Sequence, residues 1–182
     1  MLSVCQRGCA YTSIQAAIDH AAPGDTSGVA TGAYDEHLTV DKSLTLAGAG
    51  MGQTIVDAGR TRPAITVTAG VSATISGLTV QNGVGSDSAS PLNGSGIVNA
   101  GTLTLTDSAV SNSGGGGSGG SGGAGVLNSR TLTLRGSMVS GSGGGIVNNG
   151  TLALFASTVS YNSRGCTGAA VSPWGAAASL TA

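Results

Sequence analysis

Hydrophobic and polar residues alternate along this chain in short bursts divided by Gly, Asn and Ser. One burst is written three times, as TLTLTDSAVS at 102–111, TLTLRGSMVS at 131–140 and TLALFASTVS at 151–160. The alternation places Leu103 and Leu105 on one face of a strand and Thr102, Thr104 and Thr106 on the other. Aligning the first inward position gives Leu44, Ala73, Leu103, Leu132 and Leu152, at steps of 29, 30, 29 and 20 residues. The same offsets relate Val80, Val110, Val139 and Val159, and Gly96, Gly125 and Gly145. A period of this size means stacked supersecondary units. Within the unit that starts at Gly96, GIVN, TLTLT and SAVS read as three short strands. A five-residue strand cannot bury its leucines alone, but stacked copies form columns of like residues and satisfy one another's backbone. The expected columns are Leu44, Ala73, Leu103, Leu132, Leu152 and Leu46, Ile75, Leu105, Leu134, Leu154.

The N-terminal part carries a different period. In YTSIQAAIDHAA, Ile14, Ala17, Ile18 and Ala21 share one helical face, Thr12 and Gln15 form a capping-box pair, and Pro23 with Gly24 ends the run. A helix over 12–21 is therefore expected, covering the open end of the apolar columns. Residues 1–182 read as a single domain: cap and first coil over 1–43, repeated coils over 44–163, and an irregular tail over 164–182. The Gly/Ser-rich run at 114–123 is an insertion at a turn, cheap to close because loop entropy grows only logarithmically.

Composition narrows the function classes. The 182 residues include 33 Gly, 8% charged and 3% aromatic residues, with a formal net charge of −1. The seven Lys and Arg are scattered, so no basic stripe exists for a nucleic acid. No run of 18 apolar residues is present, so no transmembrane helix is expected. The N-terminus has no charged and apolar regions of a secretory signal. Cys5 and Cys9 can close a small disulfide loop or remain thiols, and Cys166 has no evident partner. A metal site would need further ligands, and His20 and His37 do not have finger spacing.

Two stretches carry a family resemblance. YTSIQAAIDHAAPGD followed by TGAYDEHLTVDKSLTLAGAG resembles the opening of pectinesterase-like proteins, with Tyr34, Glu36, Leu38, Val40, Lys42, Leu44, Leu46, Gly48 and Gly50 on the matching places. GIVNAGTLTLTDSAVSNS resembles the coils of bacterial cell-surface β-helix repeat proteins, including polymorphic outer-membrane types. Together they imply the pectin-lyase-like superfold: an all-β, right-handed, single-stranded parallel β-helix with a short N-terminal capping helix. The resemblance does not carry an activity, because this fold hosts enzymes, adhesins and stalks alike.

Enzymes of this fold need acids and basic groups on the outside of central coils, and a glycosidase needs two carboxylates at matched separation. Six of the eight acids here precede the repeats, and the esterase D-F-I-F-G segment has no counterpart. No catalytic, cofactor-binding or metal-binding residue is assigned. Asp35, Glu36 and His37 form the best polar cluster, read as a solvated strand entry. GGSGG at 119–123 matches G-x-S-x-G only formally, since no His follows residue 37. Asn99, Asn128 and Asn148 recur at one position of the coil and are expected to form a structural amide ladder. Val98, Leu127 and Val147 beside them are expected to face outward as an apolar stripe. Out-facing Thr columns are expected from Thr45, Thr74, Thr104 and Thr133 and from Thr102, Thr131 and Thr151. The expected role is a non-catalytic extracellular or cell-surface module for adhesion, display or polysaccharide contact. The alternatives are part of a carbohydrate-active enzyme whose catalytic coils lie elsewhere, and an ice-binding protein using the Thr columns.

Overall fold

The computed structural model describes residues 1–85, 94–114, 123–162, 171–173 and 178–181, the last two segments by their backbone pairing. The chain opens with β1 (Leu2–Val4), α1 (Ile14–His20) and β2 (Thr26–Val29). The next strands are β3 (Gly32–Asp35), β4 (Leu38–Val40), β5 (Leu44–Gly48), β6 (Thr54–Asp57), β7 (Ile65–Val67), β8 (Ser72–Ser76) and β9 (Thr79–Gln81). The repeated coils supply β10 (Gly94–Asn99), β11 (Thr102–Thr106), β12 (Ala109–Ser111), β13 (Ala124–Asn128), β14 (Thr131–Arg135), β15 (Met138–Ser140), β16 (Gly144–Asn148), β17 (Thr151–Phe155) and β18 (Thr158–Ser160). Two last strands are β19 (Val171–Pro173) and β20 (Ala178–Thr181).

Each coil visits three sheets in turn. Sheet A runs β1-β2-β5-β8-β11-β14-β17-β20, sheet B runs β18-β15-β12-β9-β6-β3, and sheet C runs β19-β16-β13-β10-β7-β4. Each strand pairs in parallel with its counterpart one coil away, which makes a right-handed parallel β-helix. At about 4.8 Å per strand, sheet A is roughly 34 Å long.

The core is the pair of columns read from the sequence. Leu44, Ala73, Leu103, Leu132 and Leu152 stack in register, and so do Leu46, Ile75, Leu105, Leu134 and Leu154. Each is buried to 5% exposure or less. Val56, Val80, Val110 and Val139 line sheet B, while Leu38, Ile65, Ile97, Val126 and Ile146 line sheet C. The recurring glycine is a packing requirement: a Cβ on Gly96 would meet Val110 Cγ1 at 2.7 Å and Ser113 Oγ at 3.0 Å, and one on Gly125 would meet Val139 Cγ1 at 2.8 Å. The start of sheet C therefore packs against the adjoining sheet B corner only where no side chain intervenes.

Three expectations are corrected. The helix is shorter than 12–21, and its N-cap is Ser13 rather than Thr12; Ser13 Oγ accepts from the Ala16 N–H at 3.3 Å. Gln15 does not return to the cap but bonds Asp19 and the backbone of Thr39. The segment 164–182, expected to be irregular, contributes β19 and β20, which extend sheets C and A. The backbone of Leu180 takes register with Leu154. Cys166, Trp174, Asp87 and most of the 114–123 insertion lie outside the described residues.

Candidate functional site

The polar groups that the fold buries are arranged as ladders at the corners of the coil. Asn99 Nδ2 donates to Asn128 Oδ1 at 2.7 Å, and Asn128 Nδ2 donates to Asn148 Oδ1 at 2.6 Å. All three amides are fully buried. Each also closes its own turn: Asn99 Oδ1 accepts from the Gly101 N–H at 3.1 Å, and Asn148 Nδ2 donates to Gly150 O at 2.8 Å. An unmet buried amide is costly, so a side chain that satisfies both the turn and the next coil fixes the stacking register.

Two further ladders went unread in the sequence. Ser108, Ser137 and Ser157 occupy the corner between sheets A and B. Each hydroxyl donates to the carbonyl two residues back and accepts from the N–H one coil earlier, as in Ser108 N to Ser137 Oγ at 3.2 Å. Ser113 and Ser142 do the same between sheets B and C, and Asn162 ends that ladder by accepting from the Ser142 N–H through Oδ1 and donating to Val139 O. The residue before each ladder position is left-handed: Asp107, Gly136 and Ala156 at the first corner, and Asn112, Gly141 and Tyr161 at the second. The signal was present as Ser at constant offsets, but a turn serine is also an ordinary surface residue.

Four acids of the first coils hold backbone or amide groups, while Asp35 and Asp41 are exposed. Glu36 is not a solvated entry residue: its carboxylate accepts from the N–H groups of Ile14 and Gln15 at 2.8 and 2.9 Å and from Ser13 Oγ at 2.8 Å. It neutralises the positive end of α1 and fastens the cap to the first coil. Tyr34 beside it is 4% exposed and donates to Ala30 O at 3.1 Å. Burial, aided by the Glu36 charge, raises its phenol pKa above the ordinary value. His37 Nδ1 meets Pro63 O at 3.0 Å and its Nε2 meets Thr61 Oγ1 at 2.9 Å, so the ring is held by the corresponding loop of the next coil. Asp57 accepts from Gln81 Nε2 at 2.8 Å, Asn82 Nδ2 at 2.9 Å and the Gly59 N–H at 2.9 Å. Burial alone would raise its pKa, but these hydrogen bonds and the Arg60 charge outweigh it and hold the carboxyl below its usual value. Asp19 and Asp25 bond Gln15 and the Ala22 N–H. Among the described residues, no group of three His, Cys, Asp or Glu is placed to hold a metal.

Cys5 and Cys9 are joined by a disulfide, whose loop carries Gln6 to Ala33 O on the edge of β3 at 3.1 Å. No helix is long and apolar enough to cross a membrane among the described residues. Thr45, Thr74, Thr104 and Thr133 stand in one outward column of sheet A, with Thr102, Thr131 and Thr151 in the next. Thr102 and Thr151 are exposed, and the others are half-buried by their neighbours. On sheet C, Ile97, Val126 and Ile146 face inward, while Val98 and Leu127 are half-buried and Val147 is buried on the opposite side.

This architecture has counterparts among solved structures. The fold is that of pectin methylesterase. The enzyme from Erwinia chrysanthemi superposes with a TM-score of 0.56 at 18% identity, over 84% of this chain and 53% of that one. Pectin methylesterase in complex with a hexasaccharide gives a TM-score of 0.55 at 18% identity over 84% and 53% of the two chains. An alanine variant of that enzyme, also with a hexasaccharide, gives 0.54 at 17% identity over 84% and 54%. The chain thus spans about half the length of the structures it matches. No family model and no curated protein matches the sequence.

Proposed function

We propose that this chain is a non-catalytic extracellular or cell-surface β-helix module that contacts polysaccharide along the outside of its coils. The observation that supports this is the employment of four acids: Glu36, Asp57, Asp19 and Asp25 are each occupied in holding backbone or neighbouring amides, and Asp41 pairs with Lys42, which leaves Asp35 and Asp107 as the exposed, unengaged acids among the described residues. A hydrolase or esterase of this architecture needs carboxylates free to face a reacting bond. The pectin methylesterases that share the fold include hexasaccharide complexes, which makes pectin-type glycans the first ligands to try. In affinity electrophoresis through methyl-esterified and de-esterified pectin, the chain is expected to be retarded, with no methanol release and no unsaturated products. Saturable turnover abolished by replacing one acidic residue would overturn the reading.

The coverage of about half of each matched structure favours a second reading, in which the chain is part of a carbohydrate-active enzyme whose catalytic coils lie outside these residues. Coding sequence that continues in frame past Ala182 with clustered Asp and Arg would decide for it.

A further inference from the structure

We propose that the outer face of sheet A binds ice. The face is a two-dimensional array rather than a single stripe. One column holds Thr26, Thr45, Thr74, Thr104 and Thr133, extending one coil further than the repeat wording indicates, and the adjacent column holds Ser72, Thr102, Thr131 and Thr151. The pairing from β5 to β17 keeps one register without a bulge, so lattice points repeat at about 4.8 Å across strands and roughly 6.7 Å along them.

The chemistry repeats with two exceptions, Ser72 in one column and Ala153 at the β17 end of the other. Threonine is β-branched and stiff at χ1, so a column presents hydroxyls and methyls at repeating positions. Among the described residues, the hydroxyls of Thr45, Thr74, Thr104, Thr133, Thr102 and Thr131 have no protein partner, in contrast to Thr54, whose hydroxyl is taken up by Val29 O and Ala30 O. They are left to water. A water bridging two fixed polar groups is held in a fixed place, so a periodic hydroxyl array holds a periodic water layer. A bound water layer would repeat with the same two periods as the hydroxyls, across strands and along them, as a growing ice surface requires of its template.

Charge selects against the other occupants. From β5 to β17 the outward positions carry a single ionisable side chain, Arg135, and it is stacked 4.3 Å over the Phe155 ring at the margin of the array. Near its centre the face presents no aromatic plane and no charged group. Here the centre is Thr104 and Thr133.

The test is thermal hysteresis and ice-crystal shaping by the purified chain in glycan-free buffer, so its failure is independent of the polysaccharide reading. The parent chain is expected to shape ice and depress growth. Thr104→Lys is expected to abolish most of that activity, and Met138→Lys, on the outside of sheet B, to leave it unchanged. Thr102→Tyr, at an exposed lattice point, serves the same purpose if Thr104→Lys does not give a cooperative melt. Absence of hysteresis and shaping at high concentration of the folded parent, or equal loss in Met138→Lys, overturns the proposal.

Discussion

At the scale of single residues, the alternation makes neighbours respond oppositely. Leu132 is fully buried between Leu103 and Leu152, so Leu132→Ala should cost about 2–5 kcal/mol through lost transfer energy and a cavity. Thr133→Ala, facing outward, should change stability by at most about 0.5 kcal/mol in the same urea titration. Greater damage from the threonine variant would reverse the assigned faces. In the ladder, Asn128 donates to Asn148, Arg130 O and Thr151 O and accepts from Asn99. Asn128→Ala should therefore cost about 2–4 kcal/mol through unmet buried groups. Asn128→Asp keeps the shape but sets an acceptor oxygen against the acceptors Asn148 Oδ1 and Thr151 O, and at neutral pH it should be at least as destabilising by the same titration. Ala156 holds φ at 47°, a left-handed conformation costly for an L-residue. Ala156→Gly should raise stability by about 0.5–1 kcal/mol after the extra chain entropy of glycine, measurable as a higher melting temperature.

At the scale of elements, what the sequence disclosed depended on whether the cause was local. The strand TLTLT and the Asn99–Asn128–Asn148 ladder were legible because each copy announces the next at a constant offset. The true cap of α1 was not, because its partner Glu36 is 21–23 residues away and no local pattern marks the pair. The capping-box motif at Thr12 competed with Ser13 and lost, since the helix begins where Glu36 can reach its first two N–H groups. The strands β19 and β20 were illegible because backbone pairing onto β16 and β17 places them, while their side-chain wording has drifted. Glu36→Ala removes an acceptor shared by two backbone donors and a hydroxyl. It should destabilise the cap by about 0.5–2 kcal/mol, seen as faster amide exchange at Ile14 and Gln15 before any change in the distal coils.

At the scale of the whole molecule, stability is a sum of coil-to-coil interfaces, and Asp57 spans one of them by binding Gln81 and Asn82 of the next coil. Its folded pKa is depressed, so its contribution is complete above the ordinary carboxylate range, about pH 4, and is lost as pH falls through the lower folded value. Asp57→Asn should flatten the acid limb of a stability–pH curve while leaving its slope near neutrality unchanged. A steepened acid limb in the variant would contradict that assignment.

The corner ladders also bear on how such a chain can lengthen. Ser137 is satisfied by the serine above and the serine below, and Asn128 by the asparagines above and below. A unit whose polar and apolar demands are met by copies of itself can be duplicated by in-frame slippage of its gene, and the new copy arrives with its partners already in place. The step of 20 residues between Leu132 and Leu152 is the smallest such unit in the repeats, and adding or removing one multiple of it preserves every ladder. The steps of 29 and 30 residues keep the same ladders by carrying their extra residues in turns, so an insertion survives where it returns the chain to the same corner, and elsewhere it lands an amide opposite a leucine.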